Sequence, residues 1–247
     1  MTSPKKGKTN TTFLGEKSQA LRRMWREERY TVLLASVFVY IILSVILPGK
    51  TWGRVLIDVI FLILVFSVVF ETAHLRSFYS FLGFLGLLAI LGHFISHLWA
   101  GTSVSRAILA ISSILFIAAA IHRVAKRVLG SKTVTGDTIR GAIIIYLLIG
   151  TLFSSVYLLI EVTSPGSFLI TNSAGKPTVV TLDQISTLFG YFSFVTLTTL
   201  GYGDIVPIKD LSRTMAWLEA FIGQIYLAVI IARLVGMYIA QSNKSST

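Results

Sequence analysis

Residues 198–207, Thr-Thr-Leu-Gly-Tyr-Gly-Asp-Ile-Val-Pro, set two glycines, a tyrosine and an aspartate inside a chain that is otherwise mostly apolar. Two kinds of chemistry fit that pattern. In one the backbone acts: rings of carbonyl oxygens replace the hydration shell of a cation without introducing a full charge. Successive carbonyls can point the same way only if alternate residues reach conformations that a Cβ disfavours, and Gly201 and Gly203 permit this. Thr199 would then add a hydroxyl oxygen below the carbonyls, while Leu200 and Tyr202 point away from the axis and space the strand. In the other a side chain acts: Asp204 pairs with a second intramembrane carboxylate, the two share a proton, and together they activate a water. Asp58 is the candidate for that second carboxylate.

Other residues could also do chemistry. His93 and His97 stand at i, i+4 and share a helix face, but no third metal ligand is evident near them, so packed or interfacial histidines are the expectation. Asp58 and Glu71 flank one apolar segment near its two ends, where a functional carboxylate and a headgroup contact read alike. Glu219 is deeper, four residues before Gly223 on one face of the last apolar segment. It is expected to brace the region of 198–207 or to hold a proton. The chain has no cysteine, which excludes disulfides and thiolate metal sites. H-E-x-x-H, G-x-S-x-G and phosphate-loop patterns are absent, so no enzyme is expected and no cofactor is implied.

The elements that must position these residues are set by composition. Of 247 residues 54% are apolar and 13% charged, about half the charged share of a soluble domain, so the chain belongs in a membrane. The net charge is +11, and eight of the cations fall within residues 1–29, just before an apolar segment. That tail fits an anchor on anionic lipids better than a nucleic-acid arm, and no nucleic-acid partner is expected. Apolar stretches of spanning length, roughly 17–25 residues, lie at about 30–47, 54–71, 78–99, 104–121, 138–160 and 211–239. Breaks fall at Pro48–Lys50, His74–Arg76, Gly101–Ser103 and Arg123–Thr135. The basic tail, Arg76 and the group Arg123, Lys126, Arg127, Lys132 and Arg140 fall on one side of this six-span arrangement. The richer side is expected to be cytoplasmic, with both termini inside.

The interval between the last two spans is unlike the rest. Residues 161–180 are polar, with two prolines and two glycines, and read as an external loop. Residues 181–197 are apolar but dotted with Ser186, Thr187, Ser193 and Thr196, and Thr181 and Gln184 stand at capping-box spacing. A short helix that dips into the membrane and turns back fits this length. Irregular backbone is tolerated at that depth only where protein buries it or it lines water. The helix would aim its carboxyl end, with its partial negative charge, at a cation.

Thr199-Leu200-Gly201-Tyr202-Gly203-Asp204 resembles the T-V-G-Y-G-D signature of tetrameric potassium channels. The likeness runs through "YFSFVTLTTLGYGDIVP" into the following "EAFIGQIYLAVIIARLVG". It covers about residues 138–240; residues 30–127 share only the count of four spans. The resemblance implies an all-α membrane protein with six transmembrane helices, a re-entrant pore helix and a filter loop, assembled as a homotetramer in the plasma membrane. The implied division is a basic cytoplasmic tail at 1–29, a voltage-sensor-like domain at 30–127, a cytoplasmic linker at 128–137, a pore domain at 138–240 and a cytoplasmic tail at 241–247. Within the pore domain it implies a fifth helix at 138–160, an outer loop at 161–180, a pore helix at 181–197, a filter at 198–207 and a sixth helix at 211–239.

The same resemblance implies that K⁺ binds at Thr199, Leu200, Gly201 and Tyr202, with Gly203 completing the filter. Thr198, Asp204 and Glu219 support it, and Gly223 acts as a gating hinge. Glu161 stands where relatives carry an acid tied to the filter's outer loop. The chain departs from the family at Leu200, in place of valine, and at Tyr191-Phe192, in place of paired tryptophans. It also has Ile230 and Ala232 where voltage-gated relatives bend at proline, and Arg233 near the inner mouth. Residues 108–121 carry no charge, so little voltage dependence is expected. The expected function is passive, selective K⁺ conduction. G-x-G-D also resembles intramembrane aspartyl proteases, and a non-conducting channel-like subunit is a further alternative.

Overall fold

The computed structural model describes residues 29–46, 56, 59–65, 83–91, 102–131, 133–171, 175–178, 180 and 182–245. Asp58, Glu71, His93, His97, Lys132, Thr181 and residues 1–28 of the basic tail lie outside the described residues. Five longer helices and one small ribbon lead the described elements: α1 (Arg29–Ile46), α2 (Ser103–Gly130), α3 (Gly136–Thr163), β1 (Phe168–Ile170), α4 (Leu182–Leu197), β2 (Ile205–Pro207) and α5 (Asp210–Ser245). Residues 59–65 and 83–91 are also helical. Three described helices, α2, α3 and α5, are long and apolar enough to cross a membrane, and α1 contains a shorter apolar stretch. The protein is a mainly helical membrane protein.

α2 and α3 form an antiparallel pair joined by a short connection. Thr135 caps α3, its hydroxyl accepting from the Thr138 N–H at 3.2 Å, and Thr102 does the same for α2 through Ser105. α2 outruns the apolar segment at 104–121 and continues through Arg123, Lys126 and Arg127 to Gly130. The apolar run marks only the part that lipid requires. Arg, Lys and Ala are good helix formers, so the helix persists after the hydrophobicity stops and the break shrinks to Ser131–Thr135.

The core runs through the middle of α3, where Ile144, Leu148 and Tyr157 are fully buried, and joins Phe116 and Ala120 of α2 to Phe189 and Leu197 of α4. Val37 and Leu33 of α1 complete it. α5 is different. Only 11% of its apolar window is buried within the chain, and Trp217, Phe221, Val229, Ile231 and Val235 are all exposed.

The mainly helical architecture carries one small addition that the sequence pattern does not announce. β1 and β2 pair antiparallel, with Phe168 opposite Pro207 and Ile170 opposite Ile205. Three residues a strand is too short for alternation to be read from sequence. The ribbon exists because the chain leaving residues 198–204 must return alongside the chain leaving α3, and backbone groups there need partners.

Candidate functional site

The site is built at the carboxyl end of α4. Its last turn is wrapped by the residues that follow: Val195 O accepts from Leu200 N at 2.9 Å and from Gly201 N at 3.3 Å, and Thr196 O accepts from Thr199 N at 2.9 Å. The next segment has an alternating backbone. Thr199, Gly201 and Gly203 have φ of 58°, 60° and 78°, and among the described residues Thr199 is the one non-glycine with positive φ. Residues of alternating handedness turn successive peptide planes so that their carbonyls face a common side, which a uniform strand cannot do. For Thr199 this conformation is strained, on the order of 1–3 kcal/mol. Gln224 of α5 donates from Nε2 to the Thr199 hydroxyl at 3.3 Å. Thr198 back-bonds to Phe194 O at 2.7 Å.

Around this segment lies a cradle. The Asp204 carboxylate accepts from the Tyr191 hydroxyl at 2.9 Å through Oδ2 and from Ile205 N at 3.1 Å through Oδ1. The Asp204 carbonyl accepts from Thr171 N at 2.8 Å and from its hydroxyl at 3.1 Å. The Tyr191 ring stacks on Tyr202, centroids 6.3 Å apart and 8° from parallel, so one residue of α4 holds both Tyr202 and Asp204. Leu200 and Tyr202 are 55% and 66% exposed within the single chain. Glu161 accepts from Gly166 N at 2.7 Å and Ser167 N at 2.9 Å, which turns the chain out of α3. Lys209 Nζ closes the same turn on Ser164 Oγ and Pro165 O, at 2.9 and 2.8 Å. Ser212 Oγ and Ile208 N both donate to Ser167 O at 2.9 Å.

Behind the cradle α5 meets α3 and α4. Glu219 is fully buried; Tyr157 Oη lies 2.5 Å from its Oε2 and Ser193 Oγ 2.5 Å from its Oε1. Tyr157 is itself enclosed by Phe168, Phe189 and Phe192. Gly223 packs directly on the end of α4: a Cβ there would meet the Leu197 carbonyl oxygen at 2.6 Å and Leu197 Cδ1 at 2.9 Å. This glycine is therefore required by close approach, a role the hinge reading does not include, and α5 is one continuous helix through it. Tyr146 donates to the same Leu197 carbonyl at 3.3 Å, and Tyr226 donates to Ala142 O at 2.6 Å.

Arg233 sits at the other end of α5. Its guanidinium donates to the carbonyls of Leu129 and Ser131, closing the carboxyl end of α2, and Gln241 Oε1 accepts from Val134 N at 3.2 Å. Such cations suit the partial negative charge of a helix end. Reading the sequence singled out Tyr191 and Ser193 but not their contacts with Asp204 and Glu219, and it did not supply Tyr157, Gln224 or the carbonyls that Arg233 meets. Tyr157 and Ser193 lie on helices other than that of Glu219, 62 and 26 residues away, so no local spacing signals them. Among the described residues no group of three His, Asp or Glu side chains could hold a metal ion.

Residues 178–240, which contain α4, the alternating segment and most of α5, match the ion channel family. The chain is also 34% identical over 89 residues to "Two pore potassium channel a" of Oryza sativa subsp. japonica, covering 36% of this chain and 21% of that protein. It is 36% identical over 84 residues to "Protein LctB" of Bacillus caldotenax, covering 34% of this chain and 59% of that protein. These findings support an ion channel. The chain thus spans about a fifth and about three fifths of the length of these relatives.

Proposed function

We propose that the chain is the subunit of a K⁺-selective channel that conducts passively through residues 199–203, with four copies around one axis. The observation that carries this is the alternation of positive φ at Thr199, Gly201 and Gly203 immediately after the carboxyl end of a short apolar helix. Carbonyl oxygens facing a common side bind a cation only as a ring, so one segment per chain calls for several chains. The exposed Leu200, Tyr202 and apolar face of α5 are the surfaces that neighbouring copies would cover. K⁺ would be held by Thr199, Leu200, Gly201 and Tyr202 as permeant ion, with Thr198, Asp204 and Glu219 supporting that geometry. The first spans serve as a scaffold in the plasma membrane with both termini cytoplasmic, and the basic tail lies on anionic lipids.

The Asp204 carboxylate is taken up by Tyr191 and by its own neighbour's N–H. That favours a positioning role over proteolysis, in which a free carboxylate must face a second one. The test is bi-ionic recording from purified protein in lipid bilayers. K⁺ and Rb⁺ should permeate far better than Na⁺. Gly201→Ala or Gly203→Ala should abolish selective flux, since a Cβ at positive φ costs about 1–2 kcal/mol per residue in each subunit. Equal Na⁺ and K⁺ permeability in the parent protein would overturn the proposal, and absence of any current would return the non-conducting subunit.

A further inference from the structure

Glu219 lies where α3, α4 and α5 meet, and conduction through residues 199–203 makes no direct use of it. Its hydrogens can be counted. Ser193 Oγ is 2.6 Å from the Gly150 carbonyl oxygen and 2.5 Å from Glu219 Oε1, while Tyr157 Oη is 2.5 Å from Glu219 Oε2. A carbonyl only accepts, and a serine hydroxyl has one proton to give. If that proton goes to Gly150, the contact between Ser193 and Glu219 needs a proton from the acid. Tyr157 supplies the third contact. Three contacts therefore require three protons, and a carboxylate leaves one missing. The residue is fully buried, and among the described residues its two oxygens meet the hydroxyls of Tyr157 and Ser193; a carboxylate buried without a cation is expensive.

We propose that Glu219 carries a proton in this structure, and that this proton latches the pore helix α4 to both α3 and α5. The groups around it are consistent with a neutral acid. α3 presents the phenols of Tyr157 and, within electrostatic reach, Tyr146. Glu161, one turn beyond Tyr157, is committed to Gly166 and Ser167. α4 presents Ser193, and its one acid, Asp183, is ten residues back, about 15 Å along the helix. β1 contributes Phe168, whose ring meets Tyr157. On α5 the nearest cation, Arg213, donates to Pro207 O, and Tyr226 donates to Ala142 O.

Removing the proton sets Ser193 Oγ and Glu219 Oε1 lone pair to lone pair. Ser193 must then either leave Gly150, giving up the tie between α4 and α3, or part from Glu219, giving up the tie to α5. Both outcomes loosen the helix that carries Thr198–Gly203. The latch is present while Glu219 holds its proton and is lost when that proton leaves.

The experiment uses the full chain in lipid vesicles and compares wild type with E219Q and E219A. Glutamine reproduces the neutral acid, its amide N–H donating to Ser193 and its carbonyl accepting from Tyr157. Infrared spectra of the wild type should show a protonated-carboxyl C=O band that shifts in heavy water and is missing in E219Q. Heat tolerance should fall in E219A and be restored in E219Q, and only the wild type should lose it progressively at alkaline pH. K⁺ efflux, which rests on the channel reading, should drop several-fold over the same alkaline range in the wild type and stay level in E219Q. Absence of the band, or E219Q as damaging as E219A, would overturn the latch. The band and the stability pattern without any K⁺ efflux would uphold the latch and count against the channel.

Discussion

The two ends of α5 are held in different ways. Near its start, the chain around Asp204 is tied at almost every turn: to Tyr191, Thr171, the β1–β2 ribbon, and the turn that Glu161 and Lys209 close. Beyond Gly223 the same helix runs largely exposed, with Val229, Ile231, Val235, Tyr238 and Ile239 uncovered, and it reaches the rest of the chain chiefly through Tyr226, Arg233 and Gln241. A segment that conducts through its backbone, as proposed above, must keep its spacing, and a redundant cradle suits that. A helix with few ties to its own chain is free to be positioned by others or to move. The contrast places rigidity and freedom on one element, with Gly223 at the seam.

That seam offers the largest test. Gly223→Ala puts a Cβ 2.6 Å from a backbone oxygen that cannot swing aside. Overpacking of this kind costs about 1–3 kcal/mol, and α5 must back away from α4. Heat tolerance of the detergent-solubilised protein should fall clearly, and flux with it. Gly236→Ala is the control in the free half, where an added Cβ meets nothing within 4 Å of the chain. There alanine should be tolerated, since it favours a helix over glycine by up to about 1 kcal/mol. Equal losses at both positions would erase the distinction between the halves. A changed open probability in Gly223→Ala, with stability intact, would show that bending and not close approach governs this glycine.

A smaller effect is expected within the cradle. Tyr191→Phe keeps the ring stacked on Tyr202 but removes the bond to the Asp204 carboxylate, a charge-assisted contact of about 2 kcal/mol. Because Asp204 is still held through its carbonyl by Thr171 and through Oδ1 by Ile205 N, K⁺ flux should survive while heat tolerance drops modestly. Thermal scans and vesicle flux on the same preparation decide it. Complete loss of flux would mean that the ties are not redundant and that Tyr191 alone keeps the spacing.

Much of this arrangement could be read from residue types, and the remainder depended on contacts that types do not announce. The long apolar runs place α3 and α5 within a few residues of where lipid requires them, and the two glycines at 201 and 203 sit at positive φ. Positive φ at Thr199 was not foreseeable, because threonine's own preference opposes it and only the wrapping of α4 imposes it. The ribbon was hidden by its length. Glu219 stood out as a deep carboxylate, yet its partners lie 62 and 26 residues away in sequence, and no local pattern links them. Arg233 looked anomalous in an apolar helix until the carboxyl end of α2 supplied its carbonyls.

The smallest effect concerns the region before α3. Four apolar segments ahead of a pore invite a voltage sensor, so the comparison between the cradle and the proposed scaffold is sharpest in α2. Each elementary charge that crosses the whole field contributes about 2.3 kcal/mol per 100 mV, and steep gating needs several per subunit. α2 has Arg106 in its first turn, buried to 9% exposure. Its next basic residue other than histidine is Arg123, about 25 Å further along the helix axis. Residues 108–121 between them are uncharged. Arg127 lies over the Tyr30 ring at 5.6 Å, at the end of the helix where Arg233 gathers the carbonyls of Leu129 and Ser131. Cations placed so close to one end have little of the field to cross. The conductance–voltage relation in symmetrical K⁺ should therefore be nearly flat. Neutralising Arg123, Lys126 and Arg127 together should leave its slope unchanged. An effective gating charge of several elementary charges, lost in that triple variant, would show that the end of α2 moves through the membrane and that this half of the protein is no scaffold.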